Sequence, residues 1–333
     1  MRLLERIILA AGLLTIATLV WRFKPASVWA QVSGIGAGFW LVLAFQICDH
    51  ALNALGWLYA FSAKDAPDIP FWCLVKIRIA GDGVNYLTPS GQIAGEFVRP
   101  GMLGGLKPEE VKNASVVVAK FTQSLAQALF IFLGLVLVVQ GRLDFLPRSQ
   151  RALGLGAALL TMGLVLVSLW ILASEPSPGR RPWQAQGSLA PLRAVIRRYL
   201  REHPGRFSLS TLFFMAGYAW GALEVLLICA LMGIPMPLLT ALSVEVLSNV
   251  VDSLLFMVPA KAGTQEAGKV AIFHGLGYPA GSGLAFGLIR HCRELAWAAA
   301  GLLLYTLSRR AAGPAAAQPE SPQPRAEPLV PAG

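Results

Sequence analysis

The sequence predicts an all-α protein that crosses a membrane several times. Of its 333 residues, 55% are hydrophobic and only 14% are charged, whereas soluble domains carry about 25% charged residues. Several apolar runs approach or exceed about 20 residues, the length at which a helix spans a bilayer. The net charge of +10 is typical of positive loops on the cytoplasmic face. These values exclude an ordinary soluble enzyme and argue against nucleic acid as a partner.

Six full transmembrane helices account for most of the apolar runs. The first run has the alternative of a signal peptide, but Arg22 and Lys24 follow it and would oppose translocation. We therefore interpret it as the first membrane-spanning helix. The predicted spans are residues 7–20, 38–61, 114–139, 153–173, 208–232 and 283–308.

Two further segments, 71–105 and 238–279, combine apolar residues with glycine, proline and charge. Proline and glycine break helices, and backbone groups freed in hydrocarbon need protein or water partners. We therefore expect two re-entrant helical hairpins that line a cavity or pack between helices. The alternative is that both segments cross fully, which gives eight transmembrane helices and fits the positive-inside rule less well.

The two broken segments share one spacing of rare residues. An acid, a proline, a second acid and a base recur after 170 residues (252 − 82), and Lys120 matches Arg290 at the same offset. The matched sets are Asp82, Pro89, Glu96 and Arg99 in the first segment and Asp252, Pro259, Glu266 and Lys269 in the second. This duplication predicts two inverted repeats, about 38–140 and about 208–308, which is a design of transporters.

The repeats are separated by a basic segment, 174–206, which we predict to be cytoplasmic together with both termini. Apolar residues from Leu192 to Leu200 recur at helical spacing, with arginines on the other face. This pattern predicts an amphipathic helix that lies on an anionic lipid surface, or else a solvated loop helix. Residues 1–308 form the predicted membrane domain, and the tail 309–333, rich in proline and alanine, is predicted to be disordered.

Ionisable residues at membrane depth are functional candidates by default. We expect the charged hairpins and the helices after them to bind a zwitterionic or anionic lipid headgroup, with arginines and free backbone N–H groups contacting phosphate. The alternative is that the hairpin charges only neutralise each other. The candidate residues are Asp82, Asn85, Pro89, Glu96, Arg99, Lys120, Asp252, Pro259, Glu266, Lys269, Arg290 and Glu294.

Asp49, His50 and Glu224 are candidates for a proton relay, although single buried acids often only bond a neighbouring helix. The sequence lacks HExxH, GxSxG, GxxxxGK[ST] and GxGxxG motifs, and its four histidines have no metal-binding spacing. We therefore predict no catalytic residues, no cofactor and no metal.

The stretch GDGVNYLTPSGQIAGEFVR at 81–99 resembles the first signature of a flippase-like membrane family, that of the lysylphosphatidylglycerol synthase transmembrane region. VPAKAGTQE at 258–266 and LIRHCREL at 288–295 resemble the second signature, although the family usually has more glycine at 260–262. The resemblance covers about residues 5–308. Gln265-Glu266 and the run 290–294 are most similar to the branch associated with hopanoid biosynthesis.

This resemblance implies a bacterial inner-membrane protein that translocates or handles lipids, linked to hopanoid or related lipid transport. Because the sequence lacks the catalytic motifs named above, we expect the protein not to be an enzyme. Its partners would be membrane lipids, with lipid-synthesis or export proteins as further candidates. One alternative is a membrane-embedded transferase acting on a lipid or polyprenyl carrier. The other is a membrane scaffold that recruits lipid-synthesis enzymes.

Overall fold

The computed structural model describes residues 14–88, 94–142, 190–255, 258, 261 and 263–311, with five isolated positions between 156 and 167. These residues contain no β-strand, and the prediction of an all-α chain is confirmed. Residues 14–22 are helical and precede ten numbered α-helices. They are α1 Pro25–Gly34, α2 Gly38–Leu58, α3 Phe71–Leu87, α4 Ala94–Met102, α5 Glu109–Arg142, α6 Ala190–Glu202, α7 Pro204–Leu231, α8 Leu238–Leu254, α9 Thr264–Gly275 and α10 Ala280–Ala311.

Within the part of the chain that the structure describes, three helices are long and apolar enough to cross a membrane: α2, the part of α5 from Glu109 to Leu137, and α7. α10 has 32 residues, but Arg290, Arg293 and Glu294 interrupt its apolar character. Apart from the five isolated positions, the predicted span 153–173 lies outside the described residues. So do the beginning of the predicted span 7–20 and the tail beyond 311.

The helix order repeats after the first half of the chain. In each half a long helix is followed by two short ones and then by another long helix: α2 to α5, and α7 to α10. The first short helix has 17 residues in both halves and ends before the proline predicted to break it. Pro89 and Pro259 themselves lie outside the described residues. We call α3 with α4 the first hairpin, and α8 with α9 the second.

The two halves exchange packing partners. α2 packs against α7, while α3 of the first half packs on α10 of the second and α8 packs on α5. The contact between α3 and α10 is close, because a Cβ atom on Gly301 would lie 2.3 Å from the carbonyl oxygen of Ile79. Each hairpin is therefore held against a long helix of the other half, and its charged side chains lie between the halves.

The basic segment contains the predicted amphipathic helix as α6. Its apolar face packs on the protein, since Ile196 is buried against Phe207. The Tyr199 hydroxyl donates to the carbonyl oxygens of Tyr59 at 2.6 Å and Phe61 at 2.9 Å. α6 thus covers backbone groups that follow α2, while Leu192 stays exposed.

Candidate functional site

A polar space lies between the two halves. It comprises three neighbouring cavities of about 240, 320 and 210 Å³, and Asp49 and Lys261 line all three. Arg99 and Glu266 are buried behind the walls, each no more than 2% exposed. The predicted residues that line at least one cavity are Asp49, His50, Asp82, Asn85, Glu96, Lys120, Glu224, Asp252, Lys269, Arg290 and Glu294. The structure therefore brings most of the predicted site together.

The first hairpin carries a continuous chain of ion pairs. Asp82 accepts from Arg78 Nε at 3.1 Å and from Arg99 Nη2 at 2.7 Å. Arg99 also donates to Glu96 at 2.5 Å, and Lys120 Nζ of α5 lies 3.5 Å from the second Glu96 oxygen. Glu96 and Arg99 are three residues apart on one helical face, and their contact agrees with the alternative that the hairpin charges neutralise each other.

The second half carries a different network that crosses three helices. Arg290 of α10 donates to Glu245 of α8 at 2.7 Å and lies 3.1 Å from Glu224 of α7. Arg293 bonds Glu224, and it also contacts Glu294 at 3.2 Å. These arginines bridge carboxylates from helices distant in sequence, so the network joins the second half into one unit.

Arg78, Glu245 and Arg293 were missed from the sequence. Arg78 stands one turn before Asp82, and this i, i+4 spacing is a signal that could have identified it. Arg293 stands inside a stretch already singled out, and Glu245 is the single acid of an apolar run from 238 to 251. A single charged residue in such an apolar run could have identified Glu245 as a candidate site residue.

Glu266 and Lys269 have the same spacing as Glu96 and Arg99, but they do not pair with each other. Glu266 Oε1 lies 2.5 Å from His291 Nδ1, and its other oxygen accepts from the Gly263 backbone N–H at 3.0 Å. Glu266 stands in the first turn of α9, where a carboxylate can turn back to cap the helix start. In the part of the chain that the structure describes, Lys269 has no ion-pair partner within 4.0 Å.

We expected backbone N–H groups after each proline to be free to bind an anion. At two of these groups the structure corrects that expectation. The Gly95 N–H donates to Asn85 Oδ1 at 2.7 Å, and the Gly263 N–H is held by Glu266. Asn85 therefore acts at the beginning of α4 as a capping group. Side chains of the protein take these two donors, because helix starts need acceptors for their N–H groups.

The repeat in sequence does not extend to the ion pairs. Arg99 binds Asp82, whereas its counterpart Lys269 does not bind Asp252, whose carboxylate pairs with Lys261 at 2.7 Å. The first-hairpin charges are thus satisfied within the hairpin and α5. The corresponding charges of the second half are distributed over other helices, and Lys269 is left facing the 210 Å³ cavity.

Several buried polar atoms around the 240 Å³ cavity have no hydrogen-bond partner among the described residues. Such groups normally bind water or a ligand, and most of these are donors. They are His50 Nδ1 and Nε2, Arg78 Nη1, Tyr86 Oη, Trp297 Nε1, Glu294 Oε2 and Glu96 Oε1. The walls carry as many acidic as basic groups, which suits a polar group with little net charge. The basic groups are Arg78, Lys120, Lys261 and Arg293, and the acidic ones are Asp49, Asp82, Glu96 and Glu294.

The candidate relay residues occupy different surroundings. Asp49 and His50 line the 240 Å³ cavity, and Asp49 also lines the 210 Å³ cavity with Glu224. Glu224 contacts both Arg290 and Arg293. No group of three His, Cys, Asp or Glu side chains that could hold a metal ion occurs among the described residues.

Comparison with known proteins identifies the family. The family model described as "Lysylphosphatidylglycerol synthase TM region" matches residues 6–302, which is most of the chain. No curated protein and no solved structure matches. The resemblance carried by the two signatures is confirmed, and with it the assignment to integral membrane proteins that act on lipids. The chain belongs to the family of the lysylphosphatidylglycerol synthase transmembrane region.

Proposed function

We propose that this protein translocates or handles a membrane lipid by holding the lipid headgroup in the central polar space. The observation that carries the proposal is the charge-lined cavity with unsatisfied buried donors in a predominantly apolar helical protein. Burying charges away from water is costly, and intramembrane ionisable residues mark substrate pathways. The acyl chains would stay in the surrounding lipid.

The proposed arrangement in the membrane has six full spans and two re-entrant hairpins in inverted repeats. Its support is length: α3 and α8 have 17 residues each, or about 25 Å of helix, against about 30 Å of hydrocarbon. α4 and α9 are shorter still. Broken helices at membrane depth are tolerated where they line a protein cavity, as these do.

The orientation in a bacterial inner membrane follows from the distribution of positive charge. The segment 174–206 and the two termini are rich in arginine, which favours a cytoplasmic location for all three. The finer proposal for the substrate is a hopanoid or a related lipid. It is supported by the similarity of residues 265–266 and 290–294 to the branch associated with hopanoid biosynthesis. These two stretches are in contact, since Gln265 Nε2 donates to Glu294 Oε1 at 3.0 Å.

Transport rather than catalysis is part of the proposal. Most acids around the cavities are engaged by arginine or lysine, as Asp82, Glu96 and Glu245 illustrate. Carboxylates held in this way are suited to positioning cationic side chains around a headgroup. Incubation of the purified protein with lipid and a group donor should therefore give no new lipid product, and product formation would favour the transferase alternative.

Lipid translocation in reconstituted vesicles tests the proposal. A Glu96→Gln, Glu266→Gln double variant disrupts the charge arrangement of both hairpins, and we expect the translocation rate to fall at least about tenfold. Glu202→Gln removes an exposed ion pair with Arg198 and serves as the matched control with an unchanged rate. Wild-type translocation by a correctly folded double variant would contradict the proposed site.

A further inference from the structure

Lys269 is a buried cation with no ion-pair partner among the residues that the structure describes. Its side chain is 2% exposed and lines the 210 Å³ cavity. Its ammonium group has no hydrogen bond or ion pair with the residues that the structure describes. An ammonium group removed from water needs compensation, and this one lines a cavity whose carboxylates lie more than 4.0 Å from it.

Asp49 is the complementary case. Its Oδ2 accepts from Gln46 at 2.8 Å and its Oδ1 from Asn53 at 3.0 Å. Both donors are neutral amides, and within the described part of the chain no cationic side chain lies within 4.0 Å of the carboxylate. Asp49 lines the same 210 Å³ cavity as Lys269, and the two side chains do not pair with each other.

The remaining charged groups of that cavity are already compensated. Carboxylates are held by arginine or lysine from neighbouring helices, so that one negative and one positive group remain. The compensated groups are Glu224, Glu245, Asp252, Lys261, Arg290, Arg293 and Glu294. The cavity therefore presents two opposite, separated charges that a ligand with two opposite charges would satisfy.

Small and neutral polar residues accompany these two charges. A Cβ atom on Gly217 would lie 3.3 Å from Asp49 Oδ1, so glycine keeps the approach to that oxygen open. Ser248 and Asn249 also line the cavity. Their donors bond the carbonyl oxygens of Val244 and Glu245, and the Ser248 hydroxyl oxygen can still accept a hydrogen bond. A compact polar group has both room and partners between the two charges.

We infer that Asp49 and Lys269 bind the two opposite charges of a zwitterionic lipid headgroup, with the ligand's ammonium at Asp49 and its phosphate at Lys269. This inference rests on the proposed function, in which the central space holds a headgroup. It replaces the hopanoid of the finer proposal by another substrate class, an amine-bearing phospholipid, and it gives the headgroup a specific direction within the cavity.

Isothermal titration of the purified protein with two short-chain lipids tests the charge assignment. The probes are dihexanoyl phosphatidylethanolamine, which carries both charges, and dihexanoyl phosphatidylglycerol, which lacks the amine. We expect the first to bind the wild type about tenfold more tightly. Equal affinities, or no binding of either lipid, would overturn the inference.

Two charge-removing variants separate the two contacts. Asp49→Asn should weaken phosphatidylethanolamine binding about tenfold and leave phosphatidylglycerol binding unchanged, because only the ammonium contact is lost. Lys269→Gln should weaken both about tenfold. Undiminished discrimination by Asp49→Asn, or full affinity of Lys269→Gln, would show that these residues do not hold the headgroup.

Three controls keep the test independent of folding. Asp49→Glu and Lys269→Arg retain the charges and should retain the preference for the amine. Lys112→Gln removes a buried lysine that bonds Glu109 and the Gly104 carbonyl, and it should bind like the wild type. If Lys269→Gln does not fold, its arginine variant together with Asp49→Asn still decides the assignment. Loss of the preference for the amine-bearing lipid in Asp49→Glu or Lys269→Arg would count against the inference.

Glycerophosphoethanolamine, the headgroup without acyl chains, distinguishes a lipid from a free zwitterion. We expect it to bind much more weakly than the short-chain lipid, and equal affinity would overturn the lipid part of the inference.

Vesicle translocation separates the two proposals. Charge-specific binding without translocation contradicts the proposed function alone, whereas translocation indifferent to the amine contradicts this inference alone.

Discussion

Gly81 and Gly95 bring the backbones of α3 and α4 into direct contact, since a Cβ atom on Gly95 would lie 2.1 Å from the Gly81 carbonyl oxygen. Gly95→Ala should therefore separate the two arms of the first hairpin and destabilise the protein by about 1–3 kcal/mol, the usual cost of overpacking. The measurement is thermal unfolding in detergent, combined with lipid binding.

Gly101→Ala is the matched control for this substitution. Gly101 lies in the same helix, and a Cβ atom there would meet no other atom within 4 Å. Because alanine favours helix over glycine, we expect equal or slightly higher stability. A Gly95→Ala variant as stable as Gly101→Ala would show that the hairpin does not need this contact.

Asp82 holds two arginines at once, so its loss removes the carboxylate bonded to Arg78 and one of the two carboxylates bonded to Arg99. Asp82→Asn should lower the free energy of unfolding by about 3 kcal/mol, within the usual cost of breaking a buried ion pair. The exposed pair of Asp68 with Lys107 at 2.5 Å is the comparison, and Asp68→Asn should cost less than about 1 kcal/mol. Similar effects of both variants in chemical denaturation would contradict the role given to Asp82.

Arg290 spans Glu245 and Glu224 with the two ends of its guanidinium group. Arg290→Lys should fail to restore both contacts, because an ammonium group is a point charge without a planar fork. We expect a loss of about 1–3 kcal/mol and a lower translocation rate. Arg198→Lys, on an exposed pair with Glu202, should be neutral, and a neutral Arg290→Lys would show that the bridge is dispensable.

Tyr199 fixes the basic helix α6 to the end of α2 through its hydroxyl group. Tyr199→Phe removes both hydrogen bonds and should weaken this docking by about 1 kcal/mol, which hydrogen exchange across 190–202 would detect as faster exchange. Tyr305→Phe, in α10, should leave that exchange unchanged. Unaltered exchange in Tyr199→Phe would indicate that the apolar contacts of α6 hold it without the hydroxyl.

Local spacing predicted much of the site. The duplicated acids, prolines and bases identified both hairpins, because α3 and α8 end shortly before Pro89 and Pro259 and proline disfavours the continuation of a helix. The pairing of Glu96 with Arg99 was also predictable, because residues three apart on a helix are neighbours. The same rule failed for Glu266 and Lys269, where His291, 25 residues away along the chain, competes for the carboxylate.

By itself the sequence determined the all-α membrane class, the duplication and the identity of most cavity residues, because composition and period are properties of the linear chain. Only the tertiary structure decided which charges remain unpaired. Partners such as Arg290 and Glu245 lie 45 residues apart and meet through helix packing. Lys269 and Asp49 can be recognised as unpaired only from the three-dimensional structure, in which the other charged residues lining their cavity form ion pairs.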